Sequence, residues 1–310
     1  MSRTTSDAFA PGLPQDSPDE NRAKHARCTR AFGILSAQLR EARPDVLLIF
    51  GDDQLEQFDF GNLPAFCVFI GDGISGYRIS PYFGLPVGRE RRSRPKTPEH
   101  WVTLKGHPSF ARRLVSELVA RRFDMAFSAS AGSSGIGHAF TRPVESLALG
   151  AAIPVVPFYI NCYYGPQPTA HRCYELGRAV GEIVDAWPSD LRVGVIGSGG
   201  LWHTPMGRNA YIDQAFDRDI LAALARGDAR AMAQIFDARR PEVDPDDTEQ
   251  VERVSGGTGM VLGLGSGTGE IRNWVAASAV VDGRPGTIVD YVDINASPVG
   301  AGFAYWNLGS

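Results

Sequence analysis

The chain has 310 residues, 43% of them hydrophobic, and a formal net charge of -4 at pH 7. A chain of this composition can form a sizeable hydrophobic core, and its net negative charge does not indicate the basic surface that binds nucleic acid. The longest apolar runs are too short to span a bilayer, and no charged and then apolar leader opens the chain. Four cysteines without C-x-x-C spacing argue against a zinc knot and a disulfide framework, so we expect a cytoplasmic protein.

Strand and helix signals alternate along the chain. Residues 1–29 are polar and interrupted by Pro11, Pro14 and Pro18, which predicts an N-terminal arm before a single domain over residues 30–310. Apolar runs of strand length cover residues 46–50, 64–70, 123–127, 153–160, 191–196 and 287–289. Helical spacing of apolar residues covers 32–39, 110–118, 175–187 and 216–236. This order predicts an α/β fold with a central, mostly parallel or mixed sheet and helices on both faces.

Two charged stretches interrupt the pattern. Arg89–Pro98 is strongly basic, which indicates a solvated face or, beside a pocket, a surface that attracts a carboxylated substrate. Asp237–Arg253 is acidic and contains prolines, so we expect a surface loop after the last of the predicted helices.

The most informative segment is Gly199–Pro205. A buried strand ending in glycines can present one reactive side chain at the rim of a sheet, and here that side chain is the imidazole of His203. His203 is therefore a candidate acid/base group. A single histidine in a turn can also have the purely structural role of hydrogen-bonding to the backbone.

Two further glycine-rich segments carry groups of the same kind. His138 follows Gly135-Ile136-Gly137, and Glu270 ends the segment Gly265–Gly269, just before a helical stretch. Two histidines and a carboxylate on separate glycine-rich loops form a plausible site, since catalytic groups concentrate on loops that a rigid scaffold holds.

At these segments the chain resembles the LigB-type (class III) extradiol ring-cleavage dioxygenases. The matching motifs keep the family's order over about residues 30 to 310: Gly51-Asp52-Asp53-Gln54, Asn62-Leu63-Pro64-Ala65-Phe66-Cys67, Gly135–Phe140, Gly199–His203 and Gly269–Trp274. The resemblance implies a non-haem Fe(II) held by two histidines and a glutamate, which binds a catecholic substrate and O2.

The resemblance also implies roles for single residues. Glu270 matches the iron-binding carboxylate, His203 the acid/base for the second phenolic proton, and His138 a histidine at the substrate pocket. Asn161, Tyr163 and Tyr164, which follow a predicted strand, are candidate substrate-binding walls of that pocket.

The two iron-binding histidines have no counterpart in the sequence. Gln54 stands where the family has histidine after Asp, and Ser6–Pro11 contains no histidine where the family has Ser-His-x-Pro. An amide is a poorer iron ligand than imidazole, so Gln54 would weaken the site unless Glu56 or Asp53 compensates. His25 is a candidate replacement for the N-terminal ligand.

Three alternatives remain open at this point. The chain could be a relative without a working iron site that acts as a binding subunit, or an acid/base enzyme that needs no iron. It could also bind a nucleotide or S-adenosylmethionine through the glycine-rich segment 263–269, with Asp290 on the ribose. For an extradiol dioxygenase, which is the leading hypothesis, we expect a small aromatic substrate and O2 as partners, and no binding to nucleic acid or membranes. We also expect a homo-oligomer, most simply a dimer.

Overall fold

The computed structural model describes residues 14–78, 97–132, 135–149, 153–203, 211–239 and 267–308. The strands are β1 Val46–Gly51, β2 Phe66–Phe69, β3 Gly73–Tyr77, β4 Trp101–Lys105, β5 Ala126–Ser128, β6 Val155–Ile160, β7 Val193–Gly197, β8 Thr287–Ile294 and β9 Val299–Tyr305. The helices are α1 Pro18–Ala42, α2 Pro108–Ala120, α3 His138–Ser146, α4 Ala170–Asp185, α5 Gln214–Ala225, α6 Ala229–Arg239 and α7 Ile271–Val280. A 3-10 turn, Gly267–Glu270, leads into α7.

The central sheet has the strand order β5-β2-β6-β1-β7. Strand β1 pairs in parallel with β6 and β7, while β2 runs parallel to β5 and antiparallel to β6, so the sheet is mixed as predicted. Both faces of β1 are buried: Val46, Leu48 and Phe50 belong to one hydrophobic cluster, and Leu47 and Ile49 to another. Elements pack on each face of this single α/β domain, which explains why the strand reads as continuously apolar.

Helix α1 begins earlier than the predicted arm allows. Ser17 Oγ accepts a hydrogen bond from the Glu20 amide at 3.2 Å, and Glu20 Oε2 accepts one from the Ser17 amide at 2.7 Å. This capping box, with Pro18 in the first turn, starts a helix inside the segment predicted to be a polar N-terminal arm. The helix packs on the β8–β9 hairpin, where Phe32 meets Phe303 edge to face at 5.1 Å.

The region predicted as one helix over 216–236 is two helices. The chain turns between α5 and α6 at Gly227, which has φ +74°, a conformation that favours glycine. Most of the predicted acidic loop that follows, and nearly all of the basic segment Arg89–Pro98, lie outside the described residues. In the part of the chain that the structure describes, no helix combines the length and apolar character needed to cross a membrane.

Candidate active site

Three loops meet at one edge of the central sheet. Strands β1, β6 and β7 run parallel side by side, so the loops after Gly51, Ile160 and Gly197 leave the same edge. Ligand sites of open α/β sheets occur at the carboxyl ends of parallel strands. Tyr163 and His203 from two of these loops meet Glu270 at the start of α7, and Gln54 from the third reaches it through Tyr163.

Glu270 is the centre of the site, and the residue is only 6% exposed. Its Oε1 accepts a hydrogen bond from the Tyr163 hydroxyl, and its Oε2 accepts one from the Gly200 amide at 2.8 Å. The Nε2 of His203 lies 3.7 Å from Oε1. Gln54 extends the network, because its Nε2 donates to the Tyr163 oxygen at 2.9 Å. The structure thus brings together four side chains that the sequence singled out separately.

The imidazole of His203 is fixed by its own loop and by the turn before Glu270. The His203 amide donates to Thr268 Oγ1 at 3.0 Å, and its Nδ1 lies 3.4 Å from the Leu201 carbonyl oxygen. A carbonyl only accepts, so Nδ1 carries the hydrogen in this contact and Nε2 keeps the lone pair of a base. Gly267 lies against the ring, where a Cβ would stand 1.6 Å from Nε2.

His138 opens α3 and is paired with Glu56. Its Nδ1 is 2.8 Å from Glu56 Oε1, and its backbone amide donates to both carboxylate oxygens at 3.2 Å. Burial lowers the pKa of His138, but the adjacent Glu56 carboxylate outweighs it and the pKa rises to about 9. His138 is therefore a cation at neutral pH, and Glu56, predicted as a metal ligand, is its hydrogen-bond partner in this structure.

Two neighbouring aspartates after β1 have different surroundings. Asp53 accepts hydrogen bonds from the amides of Glu56, Gln57 and Phe58 at 2.9, 2.9 and 3.2 Å, which closes the turn. Burial, and next the Glu56 charge, raises its pKa to about 7. Asp52 is 1% exposed, and its Oδ2 has no hydrogen-bond partner among the described residues. Burial and then the Glu270 charge raise the pKa of Asp52 well above its usual range.

The predicted pocket walls differ in what they do. Tyr163 joins the Glu270 network, as described above. Asn161 uses its amide to close a turn, accepting from the Tyr164 amide at 3.0 Å and donating to the Tyr164 carbonyl at 2.5 Å. The ring of Tyr164 packs edge to face on Phe60 at 5.5 Å. Tyr163 therefore contacts Glu270 directly.

Two buried carboxylates at the site were missed by the sequence analysis as functional groups. Asp52 is one, and its signals were its place directly after a buried strand and within the motif Gly51-Asp52-Asp53-Gln54. Asp217 of α5 is the other: it accepts from the Trp202 amide at 2.8 Å and from the Tyr291 hydroxyl at 2.7 Å, next to His203. No local pattern distinguishes Asp217 from other polar residues of an amphipathic helix.

Two sequence-based alternatives do not agree with the topology. Asp290, considered as a ribose ligand, lies on β8, which pairs antiparallel with β9 in a separate sheet. Its carboxylate forms an ion pair with Arg27 of α1. A dinucleotide fold needs a parallel βαβ unit at that point. Residues 263–266 lie outside the described residues. His25, the candidate N-terminal ligand, is exposed on α1, which packs on the β8–β9 hairpin.

Fold and site together define an α/β protein with a buried acid/base cluster at the carboxyl edge of its sheet. Residues 12–298 match the family described as the catalytic LigB subunit of aromatic ring-opening dioxygenase. The chain belongs to this family.

Named relatives are similar over much of the chain. A 2,3-dihydroxyphenylpropionate/2,3-dihydroxicinnamic acid 1,2-dioxygenase of Photorhabdus laumondii is 29% identical over 296 residues, covering 86% of this chain and 83% of the relative. A gallate dioxygenase of Pseudomonas putida is 30% identical over 137 residues, covering 43% of this chain and 39% of the relative. The crystal structure of an uncharacterized protein from Escherichia coli K12 covers 89% of this chain and 91% of its own, with a TM-score of 0.48 and 15% identity.

Iron, which the family resemblance implies, would need suitable donor atoms near Glu270. All six histidines of the chain lie in the described ranges, and of these His138 and His203 belong to the cluster. Within those ranges, no three His, Cys, Asp or Glu side chains are arranged as a metal site. The two histidine ligands that the family resemblance implies for iron are therefore not reproduced. The Oδ2 of buried Asp52 has no hydrogen-bond partner among the described residues, but this single oxygen does not replace the missing imidazoles, so the donors present do not fit the family's iron centre.

Proposed function

We propose that this chain is an aromatic ring-opening dioxygenase that acts on a substituted catechol, or a related phenolic compound, with O2. Family membership and the names of the relatives support the reaction class. The observation that carries the proposal is the placement of His203 beside Glu270, with its Nε2 3.7 Å from the carboxylate.

Proton transfer is the part of the reaction that the chain's own residues explain. We assign Nε2 of His203 as the base that accepts a phenolic proton, because Nδ1 faces the Leu201 carbonyl. The Glu270 carboxylate stabilises the imidazolium that forms. The positive charge on His138, which interacts with the charge on Glu270, favours the phenolate form of a substrate nearby.

The proposed cofactor is Fe(II). Glu270 would hold the ion, and Gln54, which is connected to Glu270 by hydrogen bonds through Tyr163, would lie beside it. The ion would supply the binding position for both substrate hydroxyls and O2. Tyr163 and the Gly200 amide fix the orientation of the Glu270 carboxylate, since each donates to a different oxygen.

The test compares His203→Ala with wild-type protein reconstituted anaerobically with Fe(II). Dihydroxyphenylpropionate, gallate and catechol are offered, and O2 uptake is measured together with the visible absorbance of the ring-opened product. We expect His203→Ala to keep its fold and lose about a hundred- to ten-thousandfold in turnover. His171→Ala, an exposed histidine on α4, is the control and should keep wild-type turnover.

Two outcomes would contradict the proposal. Turnover of His203→Ala at the wild-type rate would exclude His203 as the base. Loaded wild-type protein that opens none of the catechols would refute the ring-opening function itself.

The missing imidazoles favour a second candidate function. A relative without a working iron centre could act as a non-catalytic subunit or as an acid/base enzyme that needs no metal. Iron analysis of anaerobically reconstituted protein separates the candidates. About one iron per chain supports the dioxygenase, whereas protein that takes up none supports the second candidate.

A further inference from the structure

Asp217 is a fully buried carboxylate that the proton transfer proposed above does not use. Its Oδ1 accepts a hydrogen bond from the Trp202 amide at 2.8 Å, and its Oδ2 accepts one from the Tyr291 hydroxyl at 2.7 Å. Burying a carboxylate costs free energy, so stability alone would favour an apolar side chain on this face of α5. Burial raises the pKa of Asp217 to about 6, which leaves the carboxyl ionised at pH 8. The amide that this charge binds belongs to the residue directly before His203.

The peptide unit between Leu201 and Trp202 connects Asp217 to the imidazole of His203. The amide of this unit donates to Asp217, and its carbonyl oxygen lies 3.4 Å from His203 Nδ1. A peptide unit is planar, so a contact that fixes its N–H also fixes the direction of its C=O. Hydrogen bonds in series polarise one another, so the carboxylate makes this carbonyl a stronger acceptor. Asp217 therefore favours the hydrogen on Nδ1 and leaves the lone pair on Nε2.

Strand β9 holds the same stretch of backbone. The Gly300 amide donates to the Trp202 carbonyl at 2.8 Å, and the Leu201 amide donates to the Gly300 carbonyl at 3.0 Å. Gly300 also lies against the carboxylate, since a Cβ there would be 1.9 Å from Asp217 Oδ2 and 2.7 Å from the Tyr291 hydroxyl. Among these contacts to the backbone before His203, the one from Asp217 comes from a side chain, so a substitution can remove it alone.

We propose that Asp217 is a positioning residue for His203. Through the peptide unit described above, it holds the hydrogen on Nδ1 and keeps Nε2 as the base. This inference rests on the proposed function, because it concerns the group that accepts the phenolic proton. Since Asp217 acts through this peptide unit and not on the substrate, its loss should lower kcat and leave KM nearly unchanged.

The experiment compares the steady-state kinetics of Asp217→Ala, Asp217→Asn and wild type at pH 8, each reconstituted with Fe(II). For Asp217→Ala we expect kcat to fall at least about tenfold and KM to change less than about threefold, since a misplacement of about 1 Å can cost about a hundredfold in rate. Asp217→Asn keeps an acceptor oxygen for the amide and should retain at least about a fifth of the wild-type kcat.

Asp237→Ala of α6 is the matched control. It also removes a carboxylate that accepts from two backbone amides, those of Ala170 and His171 at 2.8 and 3.0 Å, but these amides begin α4. This variant should lose stability and keep the wild-type kcat.

The tautomer of His203 gives a readout that a merely structural Asp217 would not change. In metal-free protein with isotope-labelled histidine, the NMR shifts of the ring nitrogens distinguish a protonated Nδ1 from a protonated Nε2. We expect protonated Nδ1 in wild type, Asp217→Asn and Asp237→Ala, and a mixture of both tautomers in Asp217→Ala. Tyr291→Phe removes a donor to the carboxylate and should give an intermediate mixture, which decides the question if the alanine variant does not fold.

A double-variant cycle with His203→Ala tests whether the two residues act together. If Asp217 acts through His203, removing Asp217 from the His203→Ala protein should change the residual turnover by less than about twofold. Independent losses from the two substitutions would overturn the inference. A wild-type tautomer in whichever of Asp217→Ala and Tyr291→Phe folds would also overturn it.

The outcomes for positioning and for ring opening are separable, because the tautomer is read without metal and without substrate. A tautomer that depends on Asp217, in a protein that opens no catechol, would support the inference and refute the proposed function. Ring opening by Asp217→Ala at the wild-type kcat would leave the function standing and overturn the inference.

Discussion

The pair formed by Glu56 and His138 gives a prediction whose size follows from the structure. Glu56→Gln keeps the side-chain volume and removes the charge. The pKa of His138 is raised from 6.5 to about 9, and the Glu56 carboxylate is the main cause that opposes the lowering effect of burial. A shift of this size corresponds to about 3 kcal/mol of folding free energy, since each pKa unit is worth about 1.4 kcal/mol.

The sign of the effect depends on pH. A histidine whose pKa is higher in the folded state stabilises the fold fully below the unfolded pKa of 6.5, and this stabilisation is lost as pH rises through about 9. Glu56→Gln should therefore destabilise the protein by about 3 kcal/mol at pH 6 and by much less at pH 10. The pKa of His138 in the variant should fall below 6.5, because burial then acts without the carboxylate.

The assay is urea unfolding of metal-free protein at pH 6 and pH 10, with the His138 pKa followed by NMR of its ring protons. Glu175→Gln is the control. Glu175 also pairs with a histidine, His171, but at 3.6 Å and with both side chains about half exposed, 45% and 49%. Such surface pairs contribute less than about 1 kcal/mol. If the two variants lose equal stability at pH 6, or if His138 still titrates near 9 without Glu56, the electrostatic argument fails.

Two further substitutions test the packing against His203 and the hydrogen bonds of the neighbouring residue Trp202. Gly267→Ala puts a Cβ 1.6 Å from His203 Nε2, so the ring must move. We expect turnover to fall at least tenfold with a small loss of stability, and Gly33→Ala on α1, which meets nothing within 4 Å, to leave turnover unchanged. Asp217→Ala leaves the buried Trp202 amide and the Tyr291 hydroxyl without their acceptor. It should lower the free energy of unfolding by about 2–6 kcal/mol, at roughly 1–3 kcal/mol for each of the two orphaned groups, and a loss below 1 kcal/mol would contradict this role.

The regular elements could be predicted from the sequence because their signals are local. A continuous apolar run such as Val46–Phe50 indicates a strand buried on both faces, and the sheet confirms it. The same reasoning did not predict that α1 begins at Pro18, where Ser17 and Glu20 form a capping box inside the polar segment. It also joined α5 and α6, because one glycine in an apolar pattern is a weak break signal.

The sequence by itself determined the fold class and singled out His203 and Glu270, whose side chains meet in the structure. Only the tertiary structure decided which other groups join them. Tyr163 meets Glu270 across a separation of 107 positions, and Gln54 meets Tyr163 across 109. Asp52 and Asp53 are adjacent and identical in type, yet one is fully hydrogen-bonded and the other is not. Periodicity shows which residues are buried, but hydrogen-bond partners depend on how the parallel strands bring distant loops to one edge.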